Sequence, residues 1–546
     1  MKEDLNRSAR ILLAGLIVFY ILSVLVNLGH LNLQGEEPRR AVVSIEMLES
    51  GDYIVPHALG WEYYNKPPLF NWILAGLIYL TGSTSEFVLR LPSLLFLLLW
   101  AYFHYEVSRR FFSKKIALLS AFFMLTVPDL FFYGLANGAE IDIFYSFLVY
   151  LQVISIFWFY HFRNYWLLFA VSWLFCAAGF LTKGFPSLIF QVLTLGALCV
   201  YAKSIRIVFK PAHLAGIATF ALVTGAYFYA YSTRAPLPVL LTNLVNESLG
   251  KWDSGTEKAA AGIQAVAVYP LSLLKLLAPW SVVLPILLWK RKLNLQANPL
   301  VKFSILFILF NIWVYWFASS TKLRYVYVFV PFAMNVIIAA FEDLSTRYPK
   351  LVDKFLRYGA LLFILVFVGL LVLPFYYAQY TALSLIGAAM VGIFLFIYFQ
   401  RRFAHWRVWL FITGLVLVRF TYALVGIPIQ KESMFDYEKQ AAVVFNSTKG
   451  EQLTYYLPPD SLRLDIILFD TLFKWRSQPV TVAPSLYHQW PYYYYKVSGQ
   501  VLKYDSSLKT GNLYMTTSDK FGTLPFNPLL GISNQSTGDS LAIFRR

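Results

Sequence analysis

Up to residue 429 the chain is a succession of long apolar runs separated by short polar joints; beyond that point its texture changes. A helix needs about 20 apolar residues to cross about 30 Å of hydrocarbon. By that length criterion about thirteen runs qualify: 11–29, 86–107, 115–133, 141–160, 165–182, 185–202, 210–231, 265–288, 302–319, 324–341, 357–377, 382–399 and 407–426. The first follows "MKEDLNRSAR" with no small-residue cleavage site, so it reads as a retained anchor. Between the first two runs, residues 36–50 carry a different rhythm. Ala41, Ile45 and Leu48 recur at helical spacing, Pro38 suits a first turn and Gly51 a stop. This predicts a helix lying on the outer surface rather than a span.

The tail alternates short apolar runs, "LTYYL" (453–457), "PVTVA" (479–483) and "NLYMTT" (512–517), with a helical pattern at 461–475, "SLRLDIILFDTLFKW". The expected fold is mainly α: a polytopic membrane unit over 1–429 and a small C-terminal α/β domain over 430–546, long enough to bury its own core. Within the first unit, 30–85 forms the first outer loop and 232–264 a flexible outer loop. The "WPYYYYK" run (490–496) could stack on a sugar, but packing on the membrane domain or head groups is favoured, as Tyr prefers that boundary.

Composition agrees with this pattern: only 14% of residues are charged, against about a quarter in soluble domains. The formal charge of +17 could suggest nucleic acid. Its Lys and Arg instead sit in short loops, as topology determinants and contacts for anionic lipid. "RRFFSKK" (109–115), "HFRN" (161–164), "AKSIRIVFK" (202–210), "WKRKLN" (289–294), "STRYPKLVDKFLR" (345–357) and "QRRFAHWR" (400–407) all fall on the side of the basic amino terminus. That side is then cytoplasmic, and the 30–85 loop and the tail are extracytoplasmic. Cys176 and Cys199 lie in apolar runs and the His are scattered, so neither a disulfide framework nor a metal site is expected.

Ionisable groups gather on the outer face. Glu36, Glu37, Arg39, Arg40 and Lys66 lie in the first loop; Glu140 and Asp142 precede the fourth span; Lys183 ends the fifth; Lys322, Arg324 and Tyr325 open the tenth. Singly each could be a snorkelling anchor. Together, carboxylates and cations suit a reaction that deprotonates a hydroxyl and releases an anion. A transporter or flippase would favour charges or broken helices at mid-membrane, and a scaffold would leave this cluster unused.

The stretch "GEEPRRAVVSIEMLESGDYIVPHALGWEYYNKPPLFNW" (35–72) resembles the first outer loop of the aminoarabinose transferase and protein O-mannosyltransferase-like superfamily. "FLTKGFPSLIF" (180–190), "APWSVVLP" (278–285) and "SSTKLRYVYVFVPF" (319–332) are similar to it in order and spacing. The resemblance covers roughly 10–340. It implies a GT-C fold in a bacterial inner membrane, with the C-terminal domain in the periplasm. It also implies a polyprenyl-phosphate-linked sugar donor and an envelope acceptor: glycolipid, protein or polysaccharide. No cofactor is required, and a divalent metal is not indicated. By position, Glu36 stands where the family has a catalytic Asp, with Glu37 as the alternative base. Asp142 matches a second acid, with Glu140 beside it. Lys66 would bind the donor phosphate, and Arg39, Arg40, Tyr63, Lys183, Arg324 and Tyr325 complete the substrate-binding set. Departures are Glu36 for Asp, Asn65 where an acid is usual, and Arg40 where an aromatic residue is usual.

Overall fold

A computed structural model describes residues 7–134, 138–249, 271–289, 298–316, 323–458, 463–470, 474–481, 489–533 and 540–546. Lys322, residues 250–264 of the 232–264 loop and part of the 265–288 run lie outside them.

Eight helices among the described residues are long and apolar enough to span: 86–108, 142–161, 165–183, 211–232, 324–347, 349–375, 378–399 and 401–432. Each coincides with an expected run, and the chain is a polytopic membrane protein. The exact count of thirteen is not confirmed among the described residues. Shorter apolar helices, including Arg10–Leu25, Pro186–Ala202 and Pro299–Asn311, occupy other expected runs. The 115–133 run splits into a helix Lys114–Leu125 and a π-helical turn Asp129–Gly134. Pro128 sits between them, where a missing N–H breaks the ladder.

The elements that frame the 30–85 loop are α1 (Arg7–Leu25), α2 (Glu37–Ser50), the two-residue strands β1 (His57–Ala58) and β2 (Trp61–Glu62), α3 (Leu69–Thr81) and α4 (Glu86–Ser108). Helices α5 (Lys114–Leu125), α6 (Asp142–His161), α7 (Tyr165–Lys183) and α8 (Pro186–Ala202) follow. Helix α2 forms as its sequence dictates: Pro38 lies in the first turn and Gly51, at φ +69°, closes the last by donating to the Met47 carbonyl. Its location differs from expectation. Residues Glu37–Met47 are buried, because α3 and a tail helix, Trp490–Ser498, cover it.

The tail holds a mixed five-stranded sheet in the order β6 (Lys503–Asp505), β3 (Leu453–Tyr456), β7 (Leu513–Thr517), β9 (Ser540–Arg545), β8 (Leu530–Ser533). The helix expected at 461–475 is instead an antiparallel hairpin, β4 (Arg463–Asp470) with β5 (Lys474–Thr481), Ile466 opposite Gln478. A short apolar run fits either period, and here the partner strand decides. One face of the sheet packs a small cluster of its own, Tyr456, Tyr514 and Phe544; the other packs on the membrane unit. Leu453, Met515 and Tyr492 of the tail pack in one apolar cluster with Ala41, Ile45, Phe70 and Leu74 of the first loop. Tyr492, Tyr493 and Tyr494 are buried there, so the aromatic run docks the tail on the membrane unit. A second apolar cluster lies within the helix bundle.

Candidate active site

Two adjacent acids open α2, and the helix start gives them different surroundings. Glu37 is fully buried. Its Oε1 accepts from Arg90 Nε (2.9 Å) and the Ala139 amide (3.0 Å), its Oε2 from Arg90 Nη2 (2.9 Å) and the Gln34 amide (2.7 Å). Arg90 also donates to the carbonyls of Leu28 (2.9 Å), Leu31 (3.0 Å) and Asn32 (3.0 Å), so all of its N–H donors are engaged. This clamp joins the end of α1, the turn into α2, the first turns of α4 and the approach to α6.

Glu36 faces the other way and keeps 22% of its side-chain surface exposed. Arg39 Nη1 lies 2.9 Å from its carboxylate and Arg40 Nη2 3.8 Å. The Glu36 amide donates to Glu140 Oε1 at 3.4 Å. Such an approach requires Gly35, at φ +57°, where an added Cβ would lie 2.7 Å from the same oxygen. Arg40 is buried, donates to Tyr63 Oη (3.1 Å) and Asn71 Oδ1 (3.4 Å), and stacks over the Tyr63 ring.

Three more segments complete the cluster. Arg324 pairs with Glu140 and sets its Nε 2.9 Å from Asp142 Oδ2. Lys183 donates to Asp142 Oδ1 at 2.6 Å, and its ammonium sits 4.1 Å from the centroid of the Tyr325 ring. Lys66, half-buried, is near enough for its charge to act on Asp142. Burial pushes the Glu140 carboxyl up to about 7, against the pull of Arg324 and with the push of Asp142. The structure thus gathers Glu36, Arg39, Arg40, Tyr63, Lys66, Glu140, Asp142, Lys183, Arg324 and Tyr325, and sets Glu37 apart. Three carboxylates face five cations, an excess of positive charge suited to an anionic group. Glu36 is the most open of the three acids.

Sequence reasoning missed Arg90, whose signal was present: an arginine within the first turns of an otherwise apolar span is a costly residue that needs a partner. It also missed the tail's hold on the loop. Tyr493 Oη accepts from the Leu33 amide (3.0 Å), Tyr492 Oη donates to Thr84 O (2.7 Å), and Lys496 pairs with Glu86 (3.0 Å). The Tyr504 amide donates to Leu59 O (2.9 Å), while the buried Glu46 carboxylate accepts from the amides of Leu59 and Gly60.

Over 98% of both chains, the structure superposes on the crystal structure of ArnT from Cupriavidus metallidurans bound to undecaprenyl phosphate, with a TM-score of 0.69 and 16% identity. The apo form of that protein gives 0.66 and 17% over the same share. The class is therefore a polytopic membrane protein of the GT-C fold. Residues 65–233 match the family model for dolichyl-phosphate-mannose-protein mannosyltransferases. The chain is also 31% identical over 210 residues to an undecaprenyl phosphate-α-4-amino-4-deoxy-L-arabinose arabinosyl transferase of Sodalis glossinidius, 37% of each chain. A relative of the same name from Erwinia tasmaniensis is 30% identical over 230 residues, 40% of each. Fold and matches agree in likening the chain to the aminoarabinose transferases and protein O-mannosyltransferases. The sequence matches span well under half the length of these curated relatives.

Proposed function

We propose that the chain is an integral membrane glycosyltransferase. It moves a sugar from a polyprenyl-phosphate donor to a hydroxyl or phosphate of an envelope acceptor: a glycolipid such as lipid A, a protein or a polysaccharide. The reaction takes place on the extracytoplasmic face of a bacterial inner membrane, with the amino terminus cytoplasmic, and inverts the anomeric centre. The observation that carries this reading is the convergence of an open carboxylate, Glu36, with cations from four segments: Arg39 and Arg40 of α2, Lys66, Lys183 and Arg324. The names and fold of the relatives support it.

In this reading the acceptor oxygen attacks the anomeric carbon as the bond to the donor phosphate breaks, and its proton passes to Glu36. The phosphate departs with the bonding electrons, toward Lys66, Lys183, Arg324 and the Tyr325 hydroxyl. Fixed positive charge in a partly water-excluded cleft stabilises that developing anion without reorganisation. Glu140 and Asp142 hold Arg324 and Lys183 in place before the substrate arrives. As written, the reaction requires no cofactor. Purified chain incubated with a polyprenyl-phosphate-linked sugar and envelope extract should release polyprenyl phosphate and label an acceptor. Absence of both products from folded protein overturns the reading. Mass spectrometry of envelope glycolipids and glycoproteins with and without the gene identifies the acceptor.

A further inference from the structure

A ladder of polar side chains runs through the apolar packing of α6, α7 and α8. Gln191 Nε2 donates to Ser172 Oγ (3.0 Å), and Gln152 Nε2 to Gln191 Oε1 (2.9 Å) and to the Ser187 carbonyl (3.1 Å). Ser187 Oγ in turn donates to Tyr145 Oη at 3.4 Å. All five residues are buried. Polar groups at membrane depth are costly, and a hydrogen-bonded chain of them fixes the side chains it joins. This one ends at Tyr145, whose ring centroid lies 5.0 Å from the Lys183 ammonium.

Asp142 and Tyr145 stand three residues apart on α6, so one helix face presents a carboxylate and a ring to the same ammonium. Asp142 Oδ1 accepts from Lys183 at 2.6 Å, and the Tyr325 ring approaches Lys183 at 4.1 Å. Room for this arrangement depends on Gly179 of α7. A Cβ there would lie 2.7 Å from Ser187 Oγ and 3.7 Å from the Tyr145 ring. Lysine has a flexible stem and a compact charge, so its position must come from its surroundings. A carboxylate fixes the ammonium by neutralising it. A ring face attracts the ammonium through its quadrupole and adds no net charge, which leaves the cation able to meet an anion.

We propose that Tyr145 is a positioning residue for the donor phosphate: backed by the polar ladder, its ring fixes the Lys183 ammonium where it meets the phosphate. Tyr145 then acts through Lys183, and the choice of a phosphate as ligand rests on the glycosyl-transfer reading. The ring supplies the effect, and the hydroxyl serves to hold the ring.

The test uses purified full-length chain in detergent, with farnesyl phosphate as probe, farnesol as its uncharged control, and adducts counted by native mass spectrometry. Wild-type chain should prefer the phosphate. Tyr145→Leu should reduce that preference about tenfold and leave farnesol binding unchanged. Tyr145→Phe keeps the ring and should retain most of the preference. Trifluorophenylalanine placed at 145 by amber suppression keeps the shape but strips the ring face of negative charge, so the preference should fall even if Tyr145→Leu folds poorly. Lys183→Met should also lower it, and Tyr145→Leu should add nothing on that background. Losses that multiply in the double variant, or a trifluorinated ring that binds as phenylalanine does, overturn the proposal. A chain that shows the expected binding pattern but turns over no polyprenyl-phosphate sugar overturns the glycosyl-transfer reading and leaves the placement of Lys183 standing. Equal binding of phosphate and alcohol by wild-type chain overturns both.

Discussion

Glu36 and Glu37 are neighbours in the chain, yet they belong to two regions with opposite logic. Around Glu37 every hydrogen-bonding position is filled: one guanidinium and two amides saturate the carboxylate, and three carbonyls take the rest of Arg90. Around Glu36 the charges are close but the acid stays partly open, with surface left for a substrate. Successive helical residues point about 100° apart, so one turn can serve both regions. The difference separates holding from reacting. A saturated, dry carboxylate is a poor base and a good rivet, whereas a partly exposed one is a weaker rivet that a substrate can reach.

The sharpest way to break this comparison is to exchange the two acids for amides. Glu36→Gln keeps the size of the side chain but cannot take a proton. If it is the base, turnover should fall by about 10²–10⁴-fold, while melting temperature and donor affinity stay near wild type. Glu37→Gln should act in the opposite order: it leaves the Arg90 charge buried without its partner, and stability should fall first. Turnover and thermal denaturation, measured on both variants, decide. Equal loss of turnover in two equally stable variants would merge the regions.

Arg90→Ala attacks the holding region from its other side. Removing one partner of a buried pair costs about 3–5 kcal/mol, and here three backbone carbonyls lose their donor as well. Yield of folded protein and melting temperature should drop, with turnover following. Arg90→Lys should fall between, since an ammonium carries charge but cannot bridge both oxygens in a planar fork. A stable, inactive Arg90→Ala would move Arg90 into the reacting region.

How much of this contrast was legible in the sequence depends on the range of the forces involved. Helix α2 was legible because Pro38, Gly51 and the apolar spacing act within a few residues. The gathering of Asp142, Lys183 and Arg324 was legible because each stood at an end of an apolar run, so the membrane supplied their common level. The pairing of Glu37 with Arg90 was not, since nothing local tells a buried acid from an exposed one. The cover over α2 and the β4–β5 hairpin failed for the same reason: distant partners decide them, the tail for the one and a facing strand for the other. The count of spans is not confirmed among the described residues, where local breaks such as Pro128 interrupt an apolar run.

Lys66→Ala sharpens the reacting region. Lys66 is half-buried in the loop before α3, so its loss opens little cavity. A charge-assisted contact is worth about 1.5–3 kcal/mol, or roughly tenfold to hundredfold in donor use. The loss should appear in kcat/KM for the donor with melting temperature unchanged. Unaltered donor kinetics would take Lys66 out of the site.

The smallest effect tests whether the tail shares in the holding. Glu46 lies on α2, buried, and accepts from the amides of Leu59 and Gly60, next to the Tyr504 amide that bonds Leu59 O. Burial raises its carboxyl to about 7, outweighing those amides and the charge of Lys503. The folded state therefore binds the proton more tightly than the unfolded chain does. Its contribution is fully present below the usual carboxylate range and fades as pH rises through about 7. With those values, between about pH 6 and about pH 8 local opening of the loop should rise about tenfold. Hydrogen exchange at the Leu59, Gly60 and Tyr504 amides, corrected for the intrinsic rise of exchange with pH, measures it. Glu46→Gln cannot titrate, so its protection should be flat over the same range. A pH dependence that persists in Glu46→Gln would assign the titration to another group and leave the tail's grip on the loop to the aromatic helix alone.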